Sequence, residues 1–382
     1  MTDSLSRLAE ALKDAESLIR AVPEGLRVAS PGPAAQFQHR LDLLTGELGL
    51  PRLEVTPDPA PLWSVELALS RYLARADTCA DGSAATGRDG AQAAARFLAD
   101  TFPNGPAVVA ARDGSPLRCW AAGPVDAPAV ALVTACGMPA GLAAGWMRAL
   151  SGRFRVVTWE SRGLFPVPGG QGPAALGGHD LTAQADDLLA VLDGLGIRQA
   201  HAMGLCGGAV VALAAAADDD RVTSLSLWHG DYELGDEAPK TQHQSDVQPM
   251  LAMVARSEGK AAGLHALMRR PVVLDAMRAD IAHHLIYPYA TPLLLHRYGL
   301  LNGAIMSTDS RPYLSAPQPA LVVTSRDDTT AHPAGSVYVA GQLPAATLVT
   351  RPTGDHLSAF DAGPEVVALA EKFLCEVTGD RT

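Results

Sequence analysis

Six residues, Gly204-Leu205-Cys206-Gly207-Gly208-Ala209, constrain this chain more than any other part of it. They join Gln199-Ala200-His201-Ala202-Met203, which reads as a short buried strand, to the small-residue run 209–217, which reads as a helix. Glycines at 204 and 208 remove side chains that would collide where strand and helix approach closely, and the apex between them is a strained backbone position. The apex residue is a cysteine. Alone, a free cysteine is most often a small buried hydrophobe. Glycines ahead of a helix also suit a phosphate-cradling loop, but no lysine or arginine stands in this one. No Gly-Lys-Ser/Thr follows, and the spacing is not that of a dinucleotide fingerprint. A nucleophilic reading of Cys206 therefore depends on an acid and a histidine further along the chain.

Both are there. Pro319-Ala320-Leu321-Val322-Val323-Thr324 reads as a buried strand and ends in Ser325-Arg326-Asp327-Asp328. Ala346-Thr347-Leu348-Val349 reads as a further strand leading to Gly354-Asp355-His356, and a periodic helix follows through Val366, Val367, Leu369, Ala370, Phe373 and Leu374. The order nucleophile, acid, histidine resembles that of α/β-hydrolase-fold proteins, and from about Pro106 onward the chain resembles that family. The upstream landmarks agree. The runs 107–112 and 117–121 around Asp113-Gly114 resemble the opening hairpin. The strand 129–134 leads to Cys136-Gly137-Met138-Pro139, which resembles the oxyanion loop. Phe154 to Gly163 resembles the next strand and its Asp-x-Arg-Gly turn, with Glu160 in the acidic place. The resemblance implies an α/β fold with a mostly parallel central sheet flanked by helices, carrying a helical cap and an N-terminal helical extension.

The resemblance also implies roles. Cys206 would attack a carbonyl, His356 would take and return the proton, and Asp328 would orient and stabilise the imidazolium. Asp327 is adjacent, and Asp231 follows the strand Ser224-Leu225-Ser226-Leu227-Trp228, from which some members of the fold take their acid. The family's Gly-x-x-Asp spacing, here Ser325 to Asp328, favours Asp328. Backbone amides of Met138 and Gly207 would hold the oxyanion, each worth about 3–4 kcal/mol where such donors have been tested. Asp355 reads as a solvated loop residue and His201 as a core histidine. No metal or cofactor is implied.

The chain has 382 residues, roughly 100 more than one minimal domain of this kind. The reading divides it into an N-terminal helical extension (1–104), a first part of the core (105–231), a helical cap (232–315) and a second part of the core (316–382). Leu5, Leu8, Leu12 and Leu18-Ile19, then Leu41, Leu44 and Leu48, then Trp63, Leu67, Leu69 and Leu73 keep helical spacing in the extension, and 91–102 reads as one more helix. The extension's expected role is packing or contact between two copies of the chain. Over the cap, His283 and His284, Tyr287, Tyr289 and Tyr298 mix polar and aromatic side chains, and His284 with the three tyrosines is read as facing substrate. A formal net charge of −11 without basic clusters makes nucleic acid and anionic membrane unfavourable partners. Five cysteines without paired or metal spacing, and no basic-then-apolar leader, point to the cytoplasm.

Three groups share features with this pattern. Dienelactone hydrolases and polyhydroxyalkanoate synthases are similar in the Gly-x-Cys-x-Gly-Gly motif, and enzymes of actinobacterial polyketide pathways are similar in composition and fold type. The expected reaction is acyl cleavage or transfer on an ester or thioester of a specialised metabolite, with an acyl carrier protein as a further candidate partner. Two alternatives stand beside it. One is a lyase that eliminates acetate from a tetronate-type intermediate with the histidine as base, and the other is an inactive ligand-binding relative.

Overall fold

Short apolar strands alternate with helices along the chain, and the computed structural model describes residues 4–59, 62–77, 86–167, 170 and 172–379. The first elements are α1 (Ser4–Asp14), α2 (Glu16–Ala21), β1 (Leu26–Ala29), α3 (Ala34–Leu48), β2 (Leu53–Thr56), α4 (Ser64–Ala76) and α5 (Gly87–Thr101). There follow β3 (Ala107–Ala110), β4 (Pro116–Ala122), β5 (Ala129–Val133), α6 (Ala144–Leu150), β6 (Arg155–Trp159), α7 (Leu181–Gly194), β7 (Ala200–Leu205), α8 (Gly207–Asp218) and β8 (Val222–Trp228). The remainder comprises α9 (Gln242–Val254), α10 (Glu258–Met268), α11 (Ala282–Leu285), α12 (Pro292–Ser307), β9 (Ala320–Ser325), α13 (Pro333–Gln342), β10 (Ala346–Arg351) and α14 (Pro364–Thr378).

The chain forms two compact units, one of Met1–Thr101 with Ser257–Leu295, the other of Phe102–Arg256 with His296–Thr382. The second unit is built on an eight-stranded sheet in the order β10-β9-β8-β7-β5-β6-β4-β3. Six strands, β6 through β10 with β5, run parallel, and β4 runs antiparallel to both β6 and β3. Every residue of β7 and β9 is buried, as strands covered on both faces must be. Helix α8 is apolar nearly all round, with Ala209 to Ala216 buried, and so belongs in an interior layer. These placements bring the carboxyl ends of β7, β8 and β9 side by side.

The first unit holds a pair of strands beside the helices expected for 1–104. Its β1 and β2 pair in parallel, Leu26 opposite Leu53 and Val28 opposite Val55, with α3 between them in sequence. Four-residue strands carry only two inward positions each, here Leu26 and Val28 in β1, too few for a period-two pattern to stand out. Strand β1 is tied to α4, because the Glu66 carboxylate accepts from the Arg27 amide at 3.0 Å and the Arg27 guanidinium at 2.8 Å.

The cap expected over 232–315 is also divided. Its middle, with α10 and α11, groups with the N-terminal elements, while α9 and the larger part of α12 group with the sheet. Ser64 at the start of α4 supplies the physical link, its hydroxyl donating to the Met268 carbonyl at 2.6 Å and its amide to Arg269 at 2.9 Å. The Arg269 guanidinium lies over the Trp63 ring at 4.7 Å. Cys79, one of the five cysteines, lies outside the described residues.

Candidate active site

Cys206 caps α8 at the end of β7, with φ +56° and ψ −127°. An L-residue held there is strained, and such strain persists only where the surroundings over-determine it. The surroundings do so. A Cβ on Gly204 would lie 2.4 Å from Ala209 Cα, and one on Gly208 would lie 2.2 Å from the Val133 carbonyl oxygen. The Cys206 amide is anchored to the Trp228 carbonyl at 3.0 Å, and the side chain is half-buried.

Asp328 closes a short turn after β9. It is buried, whereas Asp327 beside it is exposed. Its Oδ1 accepts the amides of Thr330 and Ala331 at 2.9 and 3.0 Å, and its Oδ2 faces the Nδ1 of His356 at 3.0 Å. Burial alone would raise the carboxyl's pKa, but hydrogen bonds to His229 and His356 hold it well below the usual range. His356 opens a short helical turn over His356–Phe360 whose first amides are capped by Asp355, which accepts from Ser358 at 2.9 Å. Asp355 thus has a local capping role beyond that of a solvated loop residue. Asp231 is buried as well, but its carboxylate binds Gln244 at 2.6 Å.

The His356 ring is buried, and its Nε2 makes no hydrogen bond of ordinary geometry. Burial would lower its pKa. Negative charge on the Cys206 sulfur and then the Asp328 carboxylate outweigh that and lift it well above the usual histidine value. His201, by contrast, is a core histidine pushed down to about 3 by burial, with Nδ1 on the Ser224 hydroxyl at 2.8 Å.

One residue of this cluster escaped the sequence reading. His229, immediately after β8, also reaches Asp328 Oδ2 through Nδ1, at 2.7 Å, and its ring meets that of His356 edge-on at 5.7 Å. It too has positive φ, +50°, so two of the three described non-glycine residues with positive φ stand at the ends of adjacent strands in this site. A signal was available: Trp228-His229-Gly230 puts a polar ring at the carboxyl end of a strand beside the elbow, where open α/β sheets collect functional groups.

The remaining expected residues fall in different places. Gly207 begins α8, so its N–H has no acceptor within the helix. The Met138 amide makes a long 3.4 Å bond to Ala135, while Gly137, at φ +78°, donates to the Ser161 hydroxyl at 2.9 Å. Tyr298 is buried on α12 and accepts from Asn302 at 3.1 Å; Asn302 Oδ1 is 3.4 Å from where a Cβ on Gly207 would stand, which sets this helix against the elbow. His284, Tyr287 and Tyr289 belong to the first unit. His284 and Tyr287 are buried there, His284 against Asp14, because the middle of the expected cap folds with α1 and α4. A small cavity lined by Thr134, Cys136, Ser161, Gln184, Leu301 and Ile305 borders the loop after β5.

A sheet of this order, with a strained turn at the end of its fully buried central strand and an acid and a histidine after the last two strands, is the α/β-hydrolase fold. Solved structures agree. The enol-lactonase of Burkholderia xenovorans LB400 matches 70% of this chain and 99% of its own at 24% identity and a TM-score of 0.56. A hydrolase from Pseudomonas aeruginosa PA01 matches 71% of this chain and 98% of its own at 25% identity and a TM-score of 0.54. Among curated proteins, the chain is similar to RutD of Caulobacter sp. (strain K31), a protein to which carbamate hydrolysis is ascribed. The two are 28% identical over 222 residues, 55% of this chain and 76% of that one. No protein-family model matches the chain. Among the described residues, no helix is long and apolar enough to cross a membrane.

Proposed function

We propose that the protein is a hydrolase that cleaves an acyl compound through a Cys206-His356-Asp328 triad. The observation that carries this reading is a single ring. His356 binds Asp328 through Nδ1 and has its proton affinity raised by Cys206, the residue at the strained apex. The relatives named as an enol-lactonase and a carbamate hydrolase support carbonyl cleavage as the reaction class.

In the proposed cycle the Cys206 sulfur, as thiolate, adds to the carbonyl carbon, and the oxyanion is held by the amides of Gly207 and Met138. The long Met138 bond to Ala135 is readily exchanged for a stronger acceptor. His356 then donates its Nε2 proton to the leaving oxygen, nitrogen or sulfur as the bond to carbon breaks, leaving an S-acyl enzyme. Water attacks that thioester, His356 takes the water proton, and the acid departs with Cys206 restored. Asp328 stays ionised throughout and holds Nδ1. His229 is a positioning residue, sharing Oδ2 with His356 and helping to fix the carboxylate.

The strained apex presents Cys206 as a nucleophile that an elimination with His356 as the initial base would not need, and this favours covalent catalysis. We retain a polyketide-type acyl thioester among the substrates to be tried, beside enol-lactones, carbamates and simple aryl esters. The test is intact and peptide mass spectrometry after brief incubation with each. The expected result is an acyl mass on Cys206 that decays in water. Turnover that persists in Cys206→Ala and disappears in His356→Ala would sink covalent catalysis in favour of elimination. A protein that binds these compounds but turns over none is a ligand-binding relative.

A further inference from the structure

The two histidines of α11 are consecutive, and consecutive side chains on a helix ordinarily diverge by about 100°. His283 and His284 converge instead. Their rings lie 3.9 Å apart, and both bring Nε2 to the same atom, Asp14 Oδ2 at the end of α1, at 2.9 and 3.3 Å. Tyr72 of α4 donates its hydroxyl to that oxygen too, at 2.7 Å, while its ring stacks on His283 at 3.6 Å. His283 is 1% exposed and His284 4%. His283 Nδ1 is buried without a partner, so the ring engages polar groups through Nε2 alone.

One carboxylate oxygen offers about two lone pairs, and three donors crowd it. A single cation among the three atoms would relieve this, since each imidazole would then give a lone pair and the carboxylate would bridge to the metal. The spacing suits it. With ligand bonds of about 2.0–2.2 Å in a tetrahedral site, neighbouring ligand atoms lie about 3.3–3.5 Å apart. The His284–Asp14 separation is 3.3 Å, the His283–Asp14 separation needs to open by only a few tenths, and all three ligand atoms lie within 4.8 Å of one another. We propose that Asp14, His283 and His284 form a binding site for a divalent cation of the zinc type. Tyr72 holds the carboxylate in place from the side.

Two imidazoles with one carboxylate select zinc and its first-row neighbours over calcium or magnesium, which take oxygen ligands. Three protein ligands leave a fourth position for water. Because the ligands come from opposite ends of the unit's sequence, the ion would pin α11 to α1 and stabilise the unit as a cross-link does.

The decisive experiment strips the full-length chain with a chelator and titrates it with Co²⁺ as a coloured stand-in for zinc. One equivalent should produce the visible bands of a low-symmetry site, and zinc should raise the melting temperature. His283→Gln and His284→Gln should weaken binding at least about tenfold, whereas His229→Gln should leave it unchanged. Absence of binding at micromolar metal would overturn the site, as would bands that survive both α11 variants and vanish with His229→Gln. If the α11 variants fail to fold, anomalous scattering from zinc-soaked wild-type crystals decides. A peak between the two Nε2 atoms supports the site; a peak at Asp328 alone, or none, removes it.

Discussion

Two clusters in this molecule have the same composition, an aspartate with two histidines, and are built for different ends. At Asp328 both histidines arrive through Nδ1, and the other carboxylate oxygen is filled by two backbone amides. At Asp14 both arrive through Nε2, and a tyrosine hydroxyl joins them on the same oxygen. The ring atom used decides what is left over. A histidine tethered by Nδ1 keeps Nε2, its outermost atom, for something else, and His356 has Cys206 there to respond to. A histidine tethered by Nε2 has spent that atom, and its ring is a strut or a ligand. The backbone adds to the contrast: two amides saturate Asp328 Oδ1 and fix a carboxylate proposed to orient His356, while Asp14 on α1 gathers side chains from two other helices, α4 and α11.

The largest expected effect separates the clusters outright. Cys206→Ala or His356→Ala should lower kcat at least about a thousandfold, while His283→Gln should leave kcat within a few-fold and act on stability instead; equal losses of kcat from both clusters would end the distinction. Next comes the pair of aspartates. Asp328→Asn should cost about a thousandfold or more in kcat of the folded fraction, and Asp14→Asn should cost about 2 kcal/mol of stability with activity retained in the folded fraction, read by steady-state kinetics beside denaturant melts. His229→Gln, which keeps a donor near Asp328 but loses the ring, should reduce kcat about tenfold and shift the pH profile while KM holds; a change in KM alone would make His229 a substrate contact.

The smallest effect lies in the pH dependence of stability, where His356 and His283 should pull in opposite directions. His356 has a folded pKa above its unfolded value. Its contribution is complete below about pH 6.5 and is lost as pH rises through the folded value. In the metal-free protein His283 is lowered to about 4, so its neighbourhood loses stability as pH falls from about 6.5 toward 4. Asp328, whose pKa is depressed, contributes above about pH 4 and fades below it. Chemical melts across this range should show the acid-side loss shrink in a His283→Gln protein and the alkaline-side loss shrink in a His356→Gln protein.

Much of the sheet-bearing unit was legible along the chain because its signals are local. Gly204 and Gly208 mark a close approach that a Cβ would block, and the runs 200–205 and 320–325 are apolar without alternation because both faces are covered. Asp328 and His356 follow such strands in the order that the fold requires. The partners of His229 and His284 leave no local signal. His229 is one polar residue after a strand, and what makes it matter is that β8 and β9 are neighbours, bringing it to Asp328. His284 looked like a residue of a roof over the cysteine, since it falls in the insertion where such roofs are made. Its actual partner is Asp14, at the far end of the sequence.

The chain by itself determined the elbow, the order of its candidate triad and the class of fold, since each depends on residues within a few positions of one another or on strand order that short connections enforce. Tertiary structure alone decided which histidine shares Asp328, how the insertion divides between two units, and that Asp14 meets His283 and His284. Those are contacts between segments distant in sequence. They arise from packing free energy summed over whole elements, and no single segment records that sum.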